Sequence, residues 1–419
     1  MVGRLKQWFG QNVSPIGVDL GTHTVRLAQC AHDGQAWRLI AAAAIDVPEV
    51  CRDSAGPTHA FLADALRDAF RRFAFVGRRA VLCVPSSRLH IRHLRMPRLD
   101  AIETERTLPF ELAGHLPIDP ARAVLRHQIA GEVQVNNEPR HETIVLAALR
   151  DDVEQLLRTA ERARLDVTDL TVECKAIVDC FGHIYRRRSD ANVTNCFIDI
   201  GAAVTRITIA RGAMLMFARA IPVGGDTFSQ AVADQLRINL TDARQRRIEL
   251  ASQPIARPEP QPVAAPAESP DQSFALLGLA PQAERRQQIE PVDIVTPSLA
   301  PGQETMAQQI QTATAGVLAR LCEELTSCLR YQSATFPHAP VDRIIFVGGE
   351  ARQRGMCQQI AQSLGLAAQL GDPMVRMGKT TTVGLDSGLD AKQPQPAWAV
   401  ALGLSMGPVQ QQLDQRRSA

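Results

Sequence analysis

A chain of 419 residues exceeds one ordinary domain core, so two or three structural units are expected. Hydrophobic residues make up 45% of it and charged residues 21%, as in ordinary globular proteins, and 46 basic against 44 acidic residues leave a net charge of +2. This balance argues against a nucleic-acid partner, and no apolar stretch approaches the roughly 18 residues of a membrane span.

The first elements along the chain predict a mixed α/β unit. Residues 16–20 and 25–28 have the apolar pattern of two strands joined by a tight turn, and residues 38–48 predict a third strand. Phe and Leu side chains fall on one helical face of residues 59–75, and a buried strand is expected at residues 78–85.

A different pattern begins at about residue 88. An alternating strand precedes a helix interrupted at Pro109. A hairpin around the sequence NNEPR then precedes an amphipathic helix whose first turn is acidic, as the helix dipole favours. We interpret residues 88–169 as a small α+β module inserted into a first half that spans residues 14–190.

The second half, residues 191–419, repeats the order of the first. Strands from residue 197 are followed by helices, a buried strand with the sequence RIIFVGGE and a last apolar helix. Within this half, ten of the 26 Pro residues lie from Pro254 to Pro301, among Gln, Ala, Glu and Ser. Such a composition is too poor in apolar residues for a core, so we predict a flexible insert at about residues 252–304.

Cysteine usage and the N-terminus both favour a cytoplasmic protein. The nine Cys residues include no CxxC pair, and buried free thiols are a simpler interpretation than a metal or disulfide framework. The opening sequence MVGRLKQWFG has no apolar segment of the kind found in signal peptides.

Two stretches of the chain, IGVDLGTHTVRLAQC and FIDIGAAVTRITIA, share one arrangement. Each has an Asp, a Gly two residues later and an Arg seven residues later: Asp19, Gly21 and Arg26, then Asp199, Gly201 and Arg206. An internal duplication explains the match and places two glycine-bearing turns on facing sides of a cleft. Such turns expose backbone N–H groups that suit phosphate oxygens, and an Asp beside phosphate makes sense where Mg²⁺ lies between them. Ordinary turn formation remains the alternative role of each Asp.

At the level of motifs, the chain resembles the actin-like ATPase superfamily. VDLGTHTVR and IDIGAAVTR resemble its two phosphate motifs, IIFVGGEA its adenosine motif, and TVECKAIVDCFG and WAVALGLSM its two connecting helices. LPFELAGHLPIDPARAVLRHQI and IPVGGDTFSQAVADQL are similar to the PilM family of type IV pilus assembly. The resemblance covers nearly the whole chain. It implies two ribonuclease-H-like halves around a nucleotide cleft, with an inserted α+β module.

The resemblance also implies a site for ATP and Mg²⁺. Asp19 and Asp199 would orient the metal and its waters, and Glu173 would be the catalytic residue that positions a water or the metal shell. The expected nucleotide-binding residues are Gly21, Thr22, His23, Thr24, Gly201, Ala202 and Ala203 at the phosphates, and Gly224, Gly225, Arg247, Gly348 and Gly349 around the nucleoside. The sequence departs from the family where His23 lies in a turn that is usually rich in Ser, and where Arg26 stands in place of Lys.

By resemblance, the protein would be a cytoplasmic ATP-binding scaffold with at most slow ATP hydrolysis. Its partner would be the N-terminal cytoplasmic peptide of PilN, an inner-membrane protein, which would tie it to the inner-membrane pilus assembly complex. Membrane contact would then be peripheral, and self-association stays open. The expected peptide groove lies in the inserted module and uses part of one apolar set: Leu108, Phe110, Leu112, Leu116 and Ile118. In the alternative, all five belong to the module's core.

Two other functions share the same fold. One is a division protein similar to FtsA, although the tail GPVQQQLDQRRSA lacks the apolar face of a membrane-binding helix. The other is a small-molecule kinase, which needs a general base facing an acceptor pocket, and no additional Asp-bearing loop resembles one.

Overall fold

The computed structural model describes residues 12–53, 56–184, 188–252, 303–378, 383–390 and 392–418. Most of the predicted Pro-rich insert at about 252–304 lies outside these residues.

The first half is built on a six-stranded sheet. Its first elements are β1 (Asn12–Val13), β2 (Ile16–Leu20), β3 (Thr24–His32), β4 (Trp37–Asp46), β5 (Arg52–Asp53), β6 (Gly56–Pro57), α1 (His59–Arg72) and β7 (Arg79–Cys83). The next elements are β8 (His90–Pro97), α2 (Ala101–Glu111), β9 (Ala123–Val135), β10 (Glu138–Leu149), α3 (Arg150–Arg162), β11 (Asp166–Thr171) and α4 (Glu173–Gly182). In the sheet, β4, β3, β2, β7 and β11 lie side by side in this order, and β1 also pairs with β3.

The second half repeats this sheet. Its elements are β12 (Thr194–Ile200), β13 (Thr205–Arg211), β14 (Met214–Ile221), α5 (Gly225–Leu236), α6 (Leu240–Ser252), α7 (Gln303–Thr335), β15 (Arg343–Val347), α8 (Arg354–Leu364), β16 (Ala368–Leu370) and α9 (Ala399–Ser418). The strand order β14, β13, β12, β15, β16 matches that of the first sheet. In both sheets the first two pairings are antiparallel and the next two are parallel. The predicted duplication is therefore confirmed.

Helices α4 and α9 connect the two halves and pack against each other. Gly403 of α9 permits the contact, because a Cβ atom there would overlap the backbone carbonyl of Ala176 in α4. Apolar side chains of both helices belong to a core that also includes Trp37 of β4 and Phe197 of β12. A shared core of this kind fixes the two sheets relative to each other.

The inserted module is an antiparallel sheet, in the order β8, β10, β9, with α2 on one face. The β9–β10 turn holds Asn136 and Asn137 at positive φ angles of 52° and 65°, as a two-residue hairpin turn requires. Helix α2 begins at a capping box formed by Asp100 and Glu103, and it continues past Pro109 to Glu111 rather than breaking there.

The module ends earlier than the sequence predicted. We expected it to extend to about residue 169, but α3 and β11 belong to the first half. Leu156 and Ala160 of α3 pack in the core beneath the first sheet, together with Leu62 of α1. Strand β11 pairs with β7 as a parallel edge strand of that sheet. The structure thus confines the module to β8, α2, β9 and β10.

The module also contacts the second half. The His93 ring of β8 stacks on Phe217 of β14, with ring centroids 4.7 Å apart. The Tyr331 hydroxyl of α7 donates a 2.6 Å hydrogen bond to Oε1 of Glu142, whose carboxylate lies buried in the module. A polar group buried in this way requires its partner, so the module is held to the second half as well as to the first.

Candidate functional site

A cleft of about 320 Å³ lies between the two halves, which is within the usual size of a ligand pocket. The turn between β2 and β3 and the turn between β12 and β13 face each other across it. Of the residues that the sequence assigned to the site, the cleft is lined by Asp19, Gly21, Thr22, His23, Thr24, Glu173, Asp199, Gly201, Ala202, Ala203, Gly348 and Gly349. Gly224, Gly225 and Arg247 do not line it.

The two turns need glycine for the same steric reason. In each, the chain folds back so that a backbone carbonyl comes close to the glycine Cα. A Cβ atom on Gly21 would lie 2.6 Å from the Thr24 carbonyl oxygen, and one on Gly201 would lie 3.0 Å from the Val204 carbonyl oxygen. A side chain at either position would press on backbone, more severely at Gly21.

An arginine joins the two acidic residues at the base of the cleft. Arg206 of β13 pairs with Asp199 across β12 and β13, with 2.9 Å between Nη1 and Oδ2. Its Nη2 atom lies 3.2 Å from Oε1 of Glu173, which is the first residue of α4. The Glu173 Oε1 atom also accepts a 3.0 Å hydrogen bond from the backbone N–H of Ser86. Both carboxylates are thus held by fixed donors from the protein.

Asp19 stands in a different environment, although it occupies the equivalent position of β2. Burial is the main cause that raises its pKa to about 7, and the nearby positive charges of Arg26 and Arg206 only partly oppose it. Arg26 is its cross-strand neighbour, yet no ion pair joins Asp19 to any residue that the structure describes. Burial likewise raises the pKa of Asp199, against the opposing charge of Arg206.

His23 connects the halves at the side of the cleft. Its Nε2 atom lies 2.8 Å from Oδ2 of Asp226 in the first turn of α5, and its Nδ1 atom faces the Arg244 guanidinium of α6. An imidazole that donates from Nε2 and accepts at Nδ1 satisfies both partners in its neutral form. His23 was expected only to supply a backbone donor, so this side-chain role is an addition to the prediction.

Arg247 has a different role from the expected one. Its guanidinium is buried and forms a 2.7 Å ion pair with Glu350, and it donates to the Gly225 carbonyl oxygen and the Ser229 hydroxyl at 2.8 and 2.7 Å. It therefore ties α6 to α5 and to the loop after β15. Arg244, three residues earlier on the same helix, lines the cleft instead.

The two glycines at the start of α5, Gly224 and Gly225, also act in packing. The Gly225 N–H donates to the Gly201 carbonyl oxygen at 3.0 Å. A Cβ atom on Gly224 would overlap the Ala202 carbonyl, and one on Gly225 would overlap the Glu350 carboxylate. These residues support the second turn and do not line the cleft.

Sequence reasoning missed three further residues of the cleft. Ser86 follows β7, and its hydroxyl accepts a 2.6 Å hydrogen bond from Nε of Arg206. Arg244 and Arg352 add positive charge to the lining. The position of Arg244 on the same helix as Arg247 could have pointed to it. The motif alone does not show which side of that helix faces the cleft, so the sequence could not choose between the two arginines.

The apolar set of the module divides between core and surface. Leu108 and Leu112 are buried in the module's core, and Leu116 packs partly against it. Ile118 is half-buried. Phe110 alone among the five is exposed, to 80%, and Ile102, about two turns earlier on α2, is 63% exposed. Leu108 and Leu112 are therefore excluded from a surface groove.

Two further properties of the described part of the chain concern metal ions and membranes. Among those residues, no group of three or more His, Cys, Asp and Glu side chains is arranged to hold a metal ion directly. None of the helices described there has the length and hydropathy needed to cross a bilayer.

Comparison with solved structures supports the fold. The chain is similar to a "PilM-PilN type IV pilus biogenesis complex" at 18% identity and a TM-score of 0.70, covering 94% of this chain and 98% of that one. It is also similar to MreB 5 of Spiroplasma citri bound to AMPPNP, at 12% identity and a TM-score of 0.47, covering 96% and 98%. EutJ of Carboxydothermus hydrogenoformans matches at 13% identity and a TM-score of 0.47, covering 94% and 89%. With the two matching sheets, the first of these confirms the predicted actin-like fold.

Comparison with family models identifies the group of proteins. A search of curated proteins gave no match. The model for the cell division protein FtsA matches residues 196–403, slightly less than half of the chain. The model for the type IV pilus assembly protein PilM matches residues 17–253, more than half of the chain, including both turns of the cleft and the whole inserted module. The chain therefore belongs to the PilM family of type IV pilus assembly proteins.

Proposed function

We propose that this protein is a cytoplasmic ATP-binding scaffold of type IV pilus assembly. The observation that carries the proposal is the cleft in which two copies of one glycine-bearing turn face each other. Two such turns can surround a chain of phosphates with backbone N–H groups, which is the usual way in which loops bind nucleotides. Membership of the PilM family supplies the biological setting.

The triphosphate would lie between the two turns. Gly21 and Gly201 leave the backbone accessible there, while Arg26 and Arg244 add positive charge to the cleft wall. The nucleoside would extend toward Gly348 and Gly349. A Cβ atom on Gly349 would meet nothing within 4 Å, so this side of the cleft has room for a flat group.

Mg²⁺ would accompany the nucleotide. Asp19 fits a role toward the ion's water ligands, because its carboxylate lies in the cleft and has no ion-pair partner among the described residues. When bound, the ion would neutralise phosphate charge, and Asp19 would orient it from the side of the first turn. Asp199 is engaged by Arg206, so its carboxylate is less available to the ion than that of Asp19.

Hydrolysis would be slow at most. Glu173 is the residue in position to orient an attacking water, but its Oε1 atom already contacts the Ser86 N–H and the Arg206 guanidinium. An oxygen atom that already accepts from two fixed donors has little capacity left to accept a proton from a water molecule. The bound nucleotide would then serve to shape the protein rather than to fuel a rapid cycle.

The partner that we propose is the N-terminal cytoplasmic peptide of a PilN-type inner-membrane protein. The similarity to a chain of a PilM-PilN complex supports this choice. On the module, Phe110 and Ile102 are exposed apolar side chains of α2, and Phe110 in particular could receive apolar side chains of an extended peptide. The protein would reach the inner membrane through this partner.

Titration calorimetry with a PilN N-terminal peptide, with and without ATP·Mg²⁺, tests the proposal. We expect binding that is tighter when the nucleotide is present. Phe110→Asp should weaken peptide binding at least tenfold without lowering the unfolding midpoint. Val50→Asp is the matched control, because Val50 is 91% exposed and lies outside the module. Equal peptide affinity of both variants would place the groove elsewhere, and absence of ATP binding would overturn the scaffold proposal.

A further inference from the structure

The base of the cleft holds two acidic residues and one guanidinium that contacts both. Each nitrogen of Arg206 has its own partner: Nη1 is 2.9 Å from Asp199, Nη2 is 3.2 Å from Glu173, and Nε donates to the Ser86 hydroxyl at 2.6 Å. Asp199 belongs to the second half, whereas Glu173 and Ser86 belong to the first. Arg206 therefore joins the halves through all three nitrogen atoms of its guanidinium.

The two carboxylates depend on this guanidinium for their charge balance. The side chains of Asp199 and Glu173 are only 6% and 5% exposed, so water stabilises their charges little. Two buried carboxylates that face a common space repel each other unless a cation lies between them. In many phosphate-binding sites a divalent ion supplies that charge.

The first copy of the repeat lacks this arrangement. Arg26 stands opposite Asp19 on β2 and β3, as Arg206 stands opposite Asp199 on β12 and β13. Only the second pair forms an ion pair in the described structure. The two repeats keep the same spacing from Asp to Arg, but only the second forms the ion pair. This difference indicates that Arg206 has a role that Arg26 does not share.

We propose that Arg206 is a permanent cation in the cleft. Its guanidinium occupies the place that a divalent ion bound by Asp199 and Glu173 would otherwise take. An ion that arrives with a nucleotide then meets only Asp19 as a carboxylate free to orient its waters. This inference deepens the proposed nucleotide site and rests on it for its biological meaning. Its test uses the protein without nucleotide, so the two can fail separately.

The first prediction concerns the wild-type protein and one variant. Mg²⁺ at millimolar concentration should leave the unfolding midpoint of the nucleotide-free wild type unchanged, relative to NaCl of equal ionic strength. Arg206→Met keeps the length of the side chain but removes its charge. We expect its midpoint to fall, and Mg²⁺ to restore at least half of the loss by occupying the vacated place. A structural role alone would not produce this response to Mg²⁺.

Two controls sharpen the result. Arg206→Lys keeps a charge at this position, so it should show little response to Mg²⁺. Arg219→Met removes an exposed ion pair with Glu324, whose atoms lie 2.9 Å apart, and it should show no response. Stabilisation of the nucleotide-free wild type equal to that of Arg206→Met, or no response of Arg206→Met, would overturn the proposal.

A variant that fails to fold also gives an answer. The double variant Arg206→Met with Glu173→Gln removes the cation together with one of the two charges that it balances. We expect this protein to fold and to show no response to Mg²⁺. If it does not fold, repulsion between the carboxylates is not what Arg206 relieves, and the proposal fails. Loss of ATP binding by the wild type would instead count against the proposed function.

Discussion

The two Asp-x-Gly turns have the same backbone plan and different electrostatics. Asp19 and Asp199 are each the penultimate residue of their strand, and each faces an Arg on the next strand. Asp199 is neutralised by Arg206, whereas Asp19 remains without an ion pair in the described structure and has its pKa raised to about 7. A duplicated turn can thus keep its backbone geometry while its two copies differ in role. The second copy helps to hold the halves together, and the first leaves its carboxylate available to a ligand.

The largest expected effect comes from the two arginines. Arg206→Met should lower the free energy of unfolding by roughly 3 kcal/mol, because it leaves two buried carboxylates without their partner. Arg26→Met, at the equivalent position, should cost less than about 1 kcal/mol, since no ion pair of Asp19 is lost. Urea denaturation of both variants at pH 7 measures the difference. Equal costs would show that the two turns are electrostatically alike.

Asp19 should make the stability of the nucleotide-free protein depend on pH. The unfolded chain releases this proton near pH 4, but the folded protein keeps it until about pH 7. Between these values the folded state binds more protons, so the contribution of Asp19 to stability falls as the pH rises.

The variant Asp19→Asn removes that dependence. Its free energy of unfolding should exceed that of the wild type by about 2 kcal/mol at pH 8, after allowance for partial exposure of the site, and the gain should vanish below pH 4. Denaturation curves at several pH values provide the measurement. Parallel curves for variant and wild type across this range would refute the raised pKa.

The glycines of the turns should differ in their tolerance of a methyl group. Gly21→Ala should destabilise the protein by roughly 1.5 kcal/mol, because the new Cβ atom would lie 2.6 Å from a backbone oxygen. Gly201→Ala should cost about half as much, since its contact of 3.0 Å needs a smaller shift. Thermal unfolding of the pair tests the order, and a larger cost at Gly201 would reverse our ranking of the two turns.

The smallest effect is expected at His23, whose counterpart in the second turn is Ala203. His23→Ala would give both turns the same residue at this position and remove the contacts with Asp226 and Arg244. We expect a loss of about 0.5–1 kcal/mol, as for one or two partly exposed hydrogen bonds. Hydrogen exchange should then increase in α5 and α6, and unchanged exchange there would show that His23 does not hold the halves together.

The sequence predicted the backbone of the site well, because turn chemistry is local. The Asp and Gly spacing fixed the two hairpins, and apolar alternation fixed the buried strands on each side. The role of Arg247 could not be obtained in this way. Whether an arginine on a short helix faces the cleft or the core depends on the rotation of that helix against α5, which is a tertiary property.

The inserted module shows the same limit of prediction from sequence. Leu108, Phe110 and Leu112 are close in sequence, and only the seating of α2 on the sheet decides which of them is buried. Its end was misplaced because α3 and β11 complete a β-α-β unit with β7, and the pairing partner of a parallel strand is distant in sequence. Local patterns carry no information about such partners.

The contact between the module and the second half has a mechanical consequence. The halves are joined by α4 and α9 beneath the cleft, by His23 and Arg206 within it, and by the stacking of His93 on Phe217 at a third place. A body restrained at three separated places cannot turn about one of them without sliding at another. We therefore expect widening of the cleft to change the contact between β8 and β14, so that the position of the module would report on the separation of the halves.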